Sequence, residues 1–182
     1  MRSRLLLFGC CLLLFLLTGC NDIEGNHDLE VFRVMFVSSV PPAYQETISE
    51  YASALLADQL GEHMALEVII TLPSHEKLML EIYNREVDLF VVDNNYQNIL
   101  LDPYGLTPLD EFEQQITASV NKTDYVRTDE ETGTDHLYAI PLTSESQFVQ
   151  ELGLAFEQEL LVGVVSTSPH QQLAKQLIKD WL

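Results

Sequence analysis

The sequence predicts one α/β domain of three layers, with a mainly parallel sheet of about five strands between layers of helices. Three observations carry this. Short runs rich in β-branched and aromatic residues alternate with longer stretches whose apolar positions recur at helical spacing. The runs are apolar almost throughout, the pattern of strands buried on both faces. The length, 182 residues, with 47% hydrophobic and 20% charged content, suits a single packed domain.

The elements follow in order. Val31–Val37 (VFRVMFV) is the first strand, stopped by Ser38-Ser39-Val40-Pro41-Pro42. A helix is predicted over 43–60, with Pro42 in its first turn and Gly61 just past its end. Its inward stripe is Tyr44, Ile48, Tyr51, Ala52, Leu55 and Leu56. The second strand is 66–72 (LEVIITL). Ser74 caps a helix over 75–85 that carries Leu78, Met79 and Ile82 inward. The third strand is 87–92 (VDLFVV). Strand, helix, strand, helix, strand is a βαβαβ unit with right-handed crossovers.

The middle is less regular. Residues 102–105 (DPYG) form a turn. Residues 121–135 show no apolar periodicity and read as an exposed excursion. A strand is predicted over 137–142 (LYAIPL), with Pro141 weakening its end. Ser144 and Gln147 make a capping box for a helix to about 157. The last strand is 160–166 (LLVGVVS). Ser168-Pro169 and Gln171 open a final helix with Leu173, Ala174, Leu177, Ile178 and Trp181 on one stripe.

Charge and cysteine usage narrow the function classes. Lys+Arg number 9 against 28 Asp+Glu, a net charge of −19. That disfavours nucleic acid as a partner, which needs a basic face, and a polybasic membrane patch equally. The three cysteines, Cys10, Cys11 and Cys20, all fall in the first twenty residues. The remaining chain has no disulfide, thiolate metal site or cysteine nucleophile.

Those first residues read as an address. Arg2 and Arg4 precede an apolar run over 5–17, too short for the ~20 residues of a membrane span and suited to the core of a secretory signal. Leu17-Thr18-Gly19-Cys20 then resembles the bacterial lipobox. The resemblance implies cleavage before Cys20 and lipidation of its thiol, with acyl chains, palmitate among them, in the membrane. The predicted organisation is a signal peptide over 1–19, a lipidated tether over 20–28 and one α/β domain over 29–182. The expected location is the extracytoplasmic face of the cell membrane.

Three phrases carry a second resemblance. REVDLFVVDNNYQNILLDPYGLTPLDEF (85–112), DHLYAIPLTSES (135–146) and LLVGVVSTSPHQQLAKQLIKDWL (160–182) resemble, in order, the first lobe of extracellular solute-binding proteins of ABC importers, the sugar-binding type especially. The resemblance implies one lobe of a periplasmic-binding-protein fold. In that family the chain leaves after the strand resembling 137–142, builds a second lobe, and returns. Here only residues 143–159 separate the two phrases, whereas a domain takes at least about 50 residues. The second lobe is missing from this sequence.

Ligands of open parallel sheets bind at the carboxyl ends of the strands. The residues expected there are Ser38, Ser39, Asp93, Asn94, Asn95 and Thr143, able to hydrogen-bond sugar hydroxyls, with Tyr44 and Tyr96 to stack on a sugar face. Their plainer reading is turn and cap chemistry. Asp102, Asp110, Glu111, Glu113, Asp129, Glu130 and Glu131 lack the spacing of a calcium loop and read as a solvated acidic face. His27, His63, His75, His136 and His170 show no zinc-ligand pairing. No metal, cofactor or catalytic residue is predicted, and the chain is not expected to be an enzyme.

Two function classes remain. One is a single-lobe module that contacts an envelope or transporter protein such as an ABC permease. The other is the substrate-binding component of an ABC importer for a sugar or other small solute, bound weakly by a single lobe.

Overall fold

The computed structural model describes residues 28–61, 63–154 and 159–182. The signal segment, Cys20 and all of the tether but residue 28 lie outside the described residues. So do residues 155–157 of the helix expected after Ser144.

The protein is an α/β fold around a mixed five-stranded sheet. Its strands are β1 (Val31–Val37), β2 (Ala65–Thr71), β3 (Leu89–Asp93), β6 (Ile140–Leu142) and β7 (Leu160–Val164), in the order β2-β1-β3-β7-β6. β4 (Val126–Thr128) and β5 (Asp135–Leu137) form a separate hairpin. The helices are α1 (Gln45–Leu55), α2 (Ala57–Leu60), α3 (His75–Asn84), α4 (Gln97–Leu100), α5 (Gln147–Glu151) and α6 (Gln171–Trp181).

The expectation of a mainly parallel sheet needs correction. β1 pairs in parallel with β2 and β3, but β7 runs antiparallel to both β3 and β6. The periodicity of the LLVGV run shows burial on two faces and is blind to direction. Direction follows from connection: the chain leaves β6 at Leu142 and re-enters the neighbouring strand at Leu160, directly across from it.

Helices cover both faces. On one, Phe36 of β1 stacks on Phe148 of α5, and Phe148 lies 4.5 Å from Trp181 of α6 by ring centroid. Ile48 and Ala52 of α1 and Ala174, Leu177 and Ile178 of α6 are buried there too, which fits the stripes read from the sequence. On the other, α3 and α4 pack together beside Phe90 and Leu100.

Two local predictions hold and three change. The Ser74 hydroxyl accepts from Lys77 N at 3.1 Å, capping α3. Gly61 follows α2 with φ +64°, which a glycine adopts without strain. Met79, expected inward, is 51% exposed, while Leu78 is buried. The capping box at Ser144 does not form: Ser146 is the N-cap of α5 without a side-chain cap bond, and its hydroxyl accepts instead from Thr143 N at 3.0 Å. The strand expected over 137–142 is two strands: Asp135–Leu137 pairs with β4, and Ile140–Leu142 joins the sheet. Residues 121–135 are therefore partly ordered as a hairpin, with Tyr125 buried at its base.

Candidate functional site

The polar residues predicted to line a ligand site gather where expected in chain terms. Val37, Val92, Leu161 and Pro141 stand in one row across four strands. Ser38, Asp93, Leu160 and Leu142 follow at the carboxyl ends of β1, β3 and β6 and the amino end of β7. Asp93 and Ser39, however, are occupied with each other, and the Ser38 and Thr143 hydroxyls with backbone amides.

Asp93 is the centre of this edge. It is 4% exposed, and both carboxylate oxygens accept from Ser39 N, at 2.9 and 3.0 Å. The Ser39 hydroxyl donates to the same carboxylate at 3.0 Å. A buried carboxylate needs such donors, because leaving it unpaired away from water is expensive. Ser38 is fully buried; its amide donates to Thr71 O, and its hydroxyl accepts from Val40 N. These contacts tie the turn after β1 to β2 and β3.

The remaining candidates divide. The Thr143 hydroxyl accepts from Glu145 N at 3.2 Å, forming the turn that enters α5. Asn94 N donates to Glu159 O at 2.9 Å, linking β3 to the start of β7. Tyr44 and Tyr96 are half-buried and packed against the core rather than standing free for stacking. Asn95 is exposed. Among the described residues, the Asn94 Oδ1 and Gln97 Oε1 atoms are buried without a hydrogen-bond partner. They are the unsatisfied acceptors of this edge.

The acidic residues outside it hold local structure. Asp110 accepts from Leu137 N at 2.8 Å and meets His136 Nδ1 at 2.6 Å, docking β5. Glu111 pairs with Lys175 at 2.6 Å. Asp129 shapes the hairpin tip: its carboxylate accepts from Glu131 N and from the Thr132 hydroxyl, which lowers its pKa below the ordinary value. Gly133 closes this tip with φ +69°, a conformation that strains other residues. Among the described residues no group of three His, Cys, Asp or Glu is gathered to hold a metal ion.

Three tyrosines of the core and its margin have their pKa values raised by their surroundings. Burial raises the pKa of Tyr51, and the carboxylates of Glu151 and Asp180 add to it. Burial does the same for Tyr125 with Glu159 and Asp124, and for Tyr138 with Asp129 and Asp110.

The sequence reading missed a groove of about 360 Å³, lined by none of the residues of the Asp93 edge. Met79 and Tyr83 of α3 and Tyr104 of the turn after α4 are among its lining residues. The signal was present: Met79 and Tyr83 lie four apart, one helical turn, on α3. Arg85, also at this groove, ends α3 with φ 53°, a left-handed conformation in a non-glycine residue.

The chain matches no protein-family model, and neither the curated proteins nor the solved structures contain a significant match. Among the described residues no helix is long and apolar enough to cross a membrane.

Proposed function

We propose that the protein is a membrane-anchored extracytoplasmic lipoprotein whose single lobe, built like one lobe of a periplasmic-binding-protein fold, is an interaction module for an envelope or transporter protein. One observation carries the reading. β6 and β7 are neighbours, and Leu142 and Leu160 are directly paired. The chain thus leaves and re-enters the sheet at one place, where the resembling family inserts its second lobe, and this chain spans the gap with residues 143–159.

The reversed β7 supports it, because a strand returning from outside the sheet need not follow the parallel order of a βαβ crossover. Bonding within the strand-end edge supports it as well: Asp93, the strongest acceptor there, already takes three hydrogen bonds from Ser39. One open lobe cannot enclose a sugar, and burial of about 70–90% of the ligand is what gives small-molecule sites their affinity. An anchor at Cys20 would compensate by concentrating module and partner on one membrane.

A second reading, the substrate-binding component of an ABC importer, is favoured by Asn94 Oδ1 and Gln97 Oε1, acceptors without partners beside the strand ends. Both oxygens are buried, so a solute hydroxyl would reach them only where the edge opens.

The anchoring half is tested with Cys20→Ala in a bacterial host. The expected result is loss of processing before residue 20 and a changed membrane fractionation. Unaltered cleavage and unaltered partitioning would contradict it.

A further inference from the structure

The exposed large apolar side chains among the described residues are Leu29, Leu72, Met79, Leu80, Tyr83 and Tyr104. Met79, Tyr83 and Tyr104 line one groove, and Leu80 is on the same helix. Tyr83 is 74% and Tyr104 58% exposed, so the walls stand open to water. The floor is made by Phe90, Leu100 and Leu106, all buried. An open apolar groove of this kind loses free energy to water until something covers it.

The rim adds charge of one sign. Asp102 lines the groove. Tyr104 donates from its hydroxyl to Glu130 at 3.4 Å, which brings the hairpin tip, with Glu130 and Glu131, to the groove mouth. Lys77 and Lys175 are engaged elsewhere, with Glu81 and Glu111. Glu81, also on the groove, is paired with Lys77. Arg85 brings one positive charge to the lining, against the acidic surplus of rim and chain.

We propose that this groove docks a segment of a partner protein that carries an apolar anchor, aromatic or aliphatic, flanked by lysine or arginine. The anchor would sit on Phe90 and Leu106 between Met79, Tyr83 and Tyr104, and its basic flanks would meet Asp102 and the hairpin tip. Complementary charge decides among the occupants of such a face. A second copy of this chain brings −19 against −19. An anionic lipid surface is repelled by the same carboxylates. A free small molecule would leave its upper side in water between the exposed tyrosines, whereas a protein segment covers groove and walls together. The inference goes beyond the anchored-module reading. It needs neither Cys20 nor the strand-end edge, and a sugar bound near Asp93 would leave it standing.

The test uses the full chain in phosphatidylcholine nanodiscs and a fluorescent nonapeptide with a Leu-Trp-Leu centre flanked by lysines. Two companions carry glutamate flanks or a serine centre. Anisotropy should show the first peptide binding at least about tenfold tighter than either companion. A photoreactive group in its centre should cross-link to α3 or to residues 99–106. The Tyr83→Ser/Tyr104→Ser double variant should bind about tenfold more weakly at an unchanged melting temperature, since both side chains are exposed. Equal affinity for the glutamate-flanked or serine-centred peptide would overturn the proposal. So would cross-links confined to the strand-end edge, or no binding at about millimolar peptide. Binding of the chain to phosphatidylglycerol vesicles that the double variant abolishes, or a concentration-dependent dimer that it abolishes, would overturn the proposal in favour of a membrane or a second copy.

Discussion

Ser39 and Asp93 are 54 positions apart in sequence and joined by three hydrogen bonds, two from the Ser39 amide and one from its hydroxyl. The turn after β1 is thereby clamped to the end of β3, and the acidic group at the centre of the candidate edge is a structural acceptor. Hydrogen bonds to charged groups are the stronger kind, and removing the acceptor strands donors that are partly buried. Asp93→Ala should destabilise the protein by about 2–4 kcal/mol, and Asp93→Asn by less, since an amide oxygen still accepts. Denaturant unfolding followed by the fluorescence of Trp181, the single tryptophan, measures both. A loss under about 0.5 kcal/mol for Asp93→Ala would mean that the carboxylate is not held as described.

Gly163 of β7 lies close against Leu106. A Cβ built there would lie 3.1 and 3.3 Å from the two methyl carbons of Leu106 and 3.5 Å from a methyl of Leu100. These are side-chain tips that can yield in part. Gly163→Ala should cost about 1–2 kcal/mol and Gly163→Val more. Leu106→Ala should cost less in the Gly163→Ala background than alone, and a double-mutant cycle on unfolding free energies detects that coupling. Strict additivity would show that the two residues do not press on each other.

The tyrosines packed in and against the core predict an alkaline limit to stability. Tyr51, Tyr125 and Tyr138 have pKa values raised above the ordinary 10.0, so the folded state holds their protons more tightly than the unfolded state. Their contribution is complete below pH 10 and is lost as pH rises through the raised values. Stability should fall with pH above about 10, and Tyr125→Phe should flatten that fall. Phenolate absorbance beside denaturant unfolding from pH 8 to 11 follows both, and a fall as steep in Tyr125→Phe would remove Tyr125 from the account.

Much of the core was legible in the sequence for a simple reason. β1, β2, β3 and β7 are apolar runs, and α1 and α6 carry stripes that bury Ile48, Ala52, Leu177 and Trp181. Periodicity records burial, and these elements are buried on the side it indicates. Strand direction was not legible, because β7 looks the same read either way. Nor was the break between β5 and β6: Tyr138 and Ala139 are as buried as the strands around them, and only the pairing of Leu137 with Val126 and of Ile140 with Val162 divides the run. Met79 misled because it is apolar and one position from the buried Leu78; its exposure belongs to the groove.

The candidate edge was legible as a place and not as a chemistry. Ser38, Ser39, Asp93 and Asn94 come together because strands end there. Which of their atoms remain open to a ligand depends on hydrogen bonds between residues more than fifty positions apart. The sequence offers no sign that Asp93 is taken by Ser39, or that Asn94 Oδ1 and Gln97 Oε1 lack partners among the described residues. Tyr44 and Tyr96 looked like stacking surfaces because aromatic rings at strand ends serve that purpose in carbohydrate sites. Here they lean on the core.

The central claim is that a single lobe does not capture a solute and works through a protein partner. Isothermal titration of the full chain with monosaccharides and disaccharides tests it most directly. Two or three solvent-exposed hydrogen bonds at about 0.5–1.5 kcal/mol each fall far short of the ~8 kcal/mol of micromolar binding. The account predicts dissociation constants of about a millimolar or weaker, or no heat at all. A micromolar sugar complex that Asn94→Ala weakens would contradict it and establish the importer reading in its place.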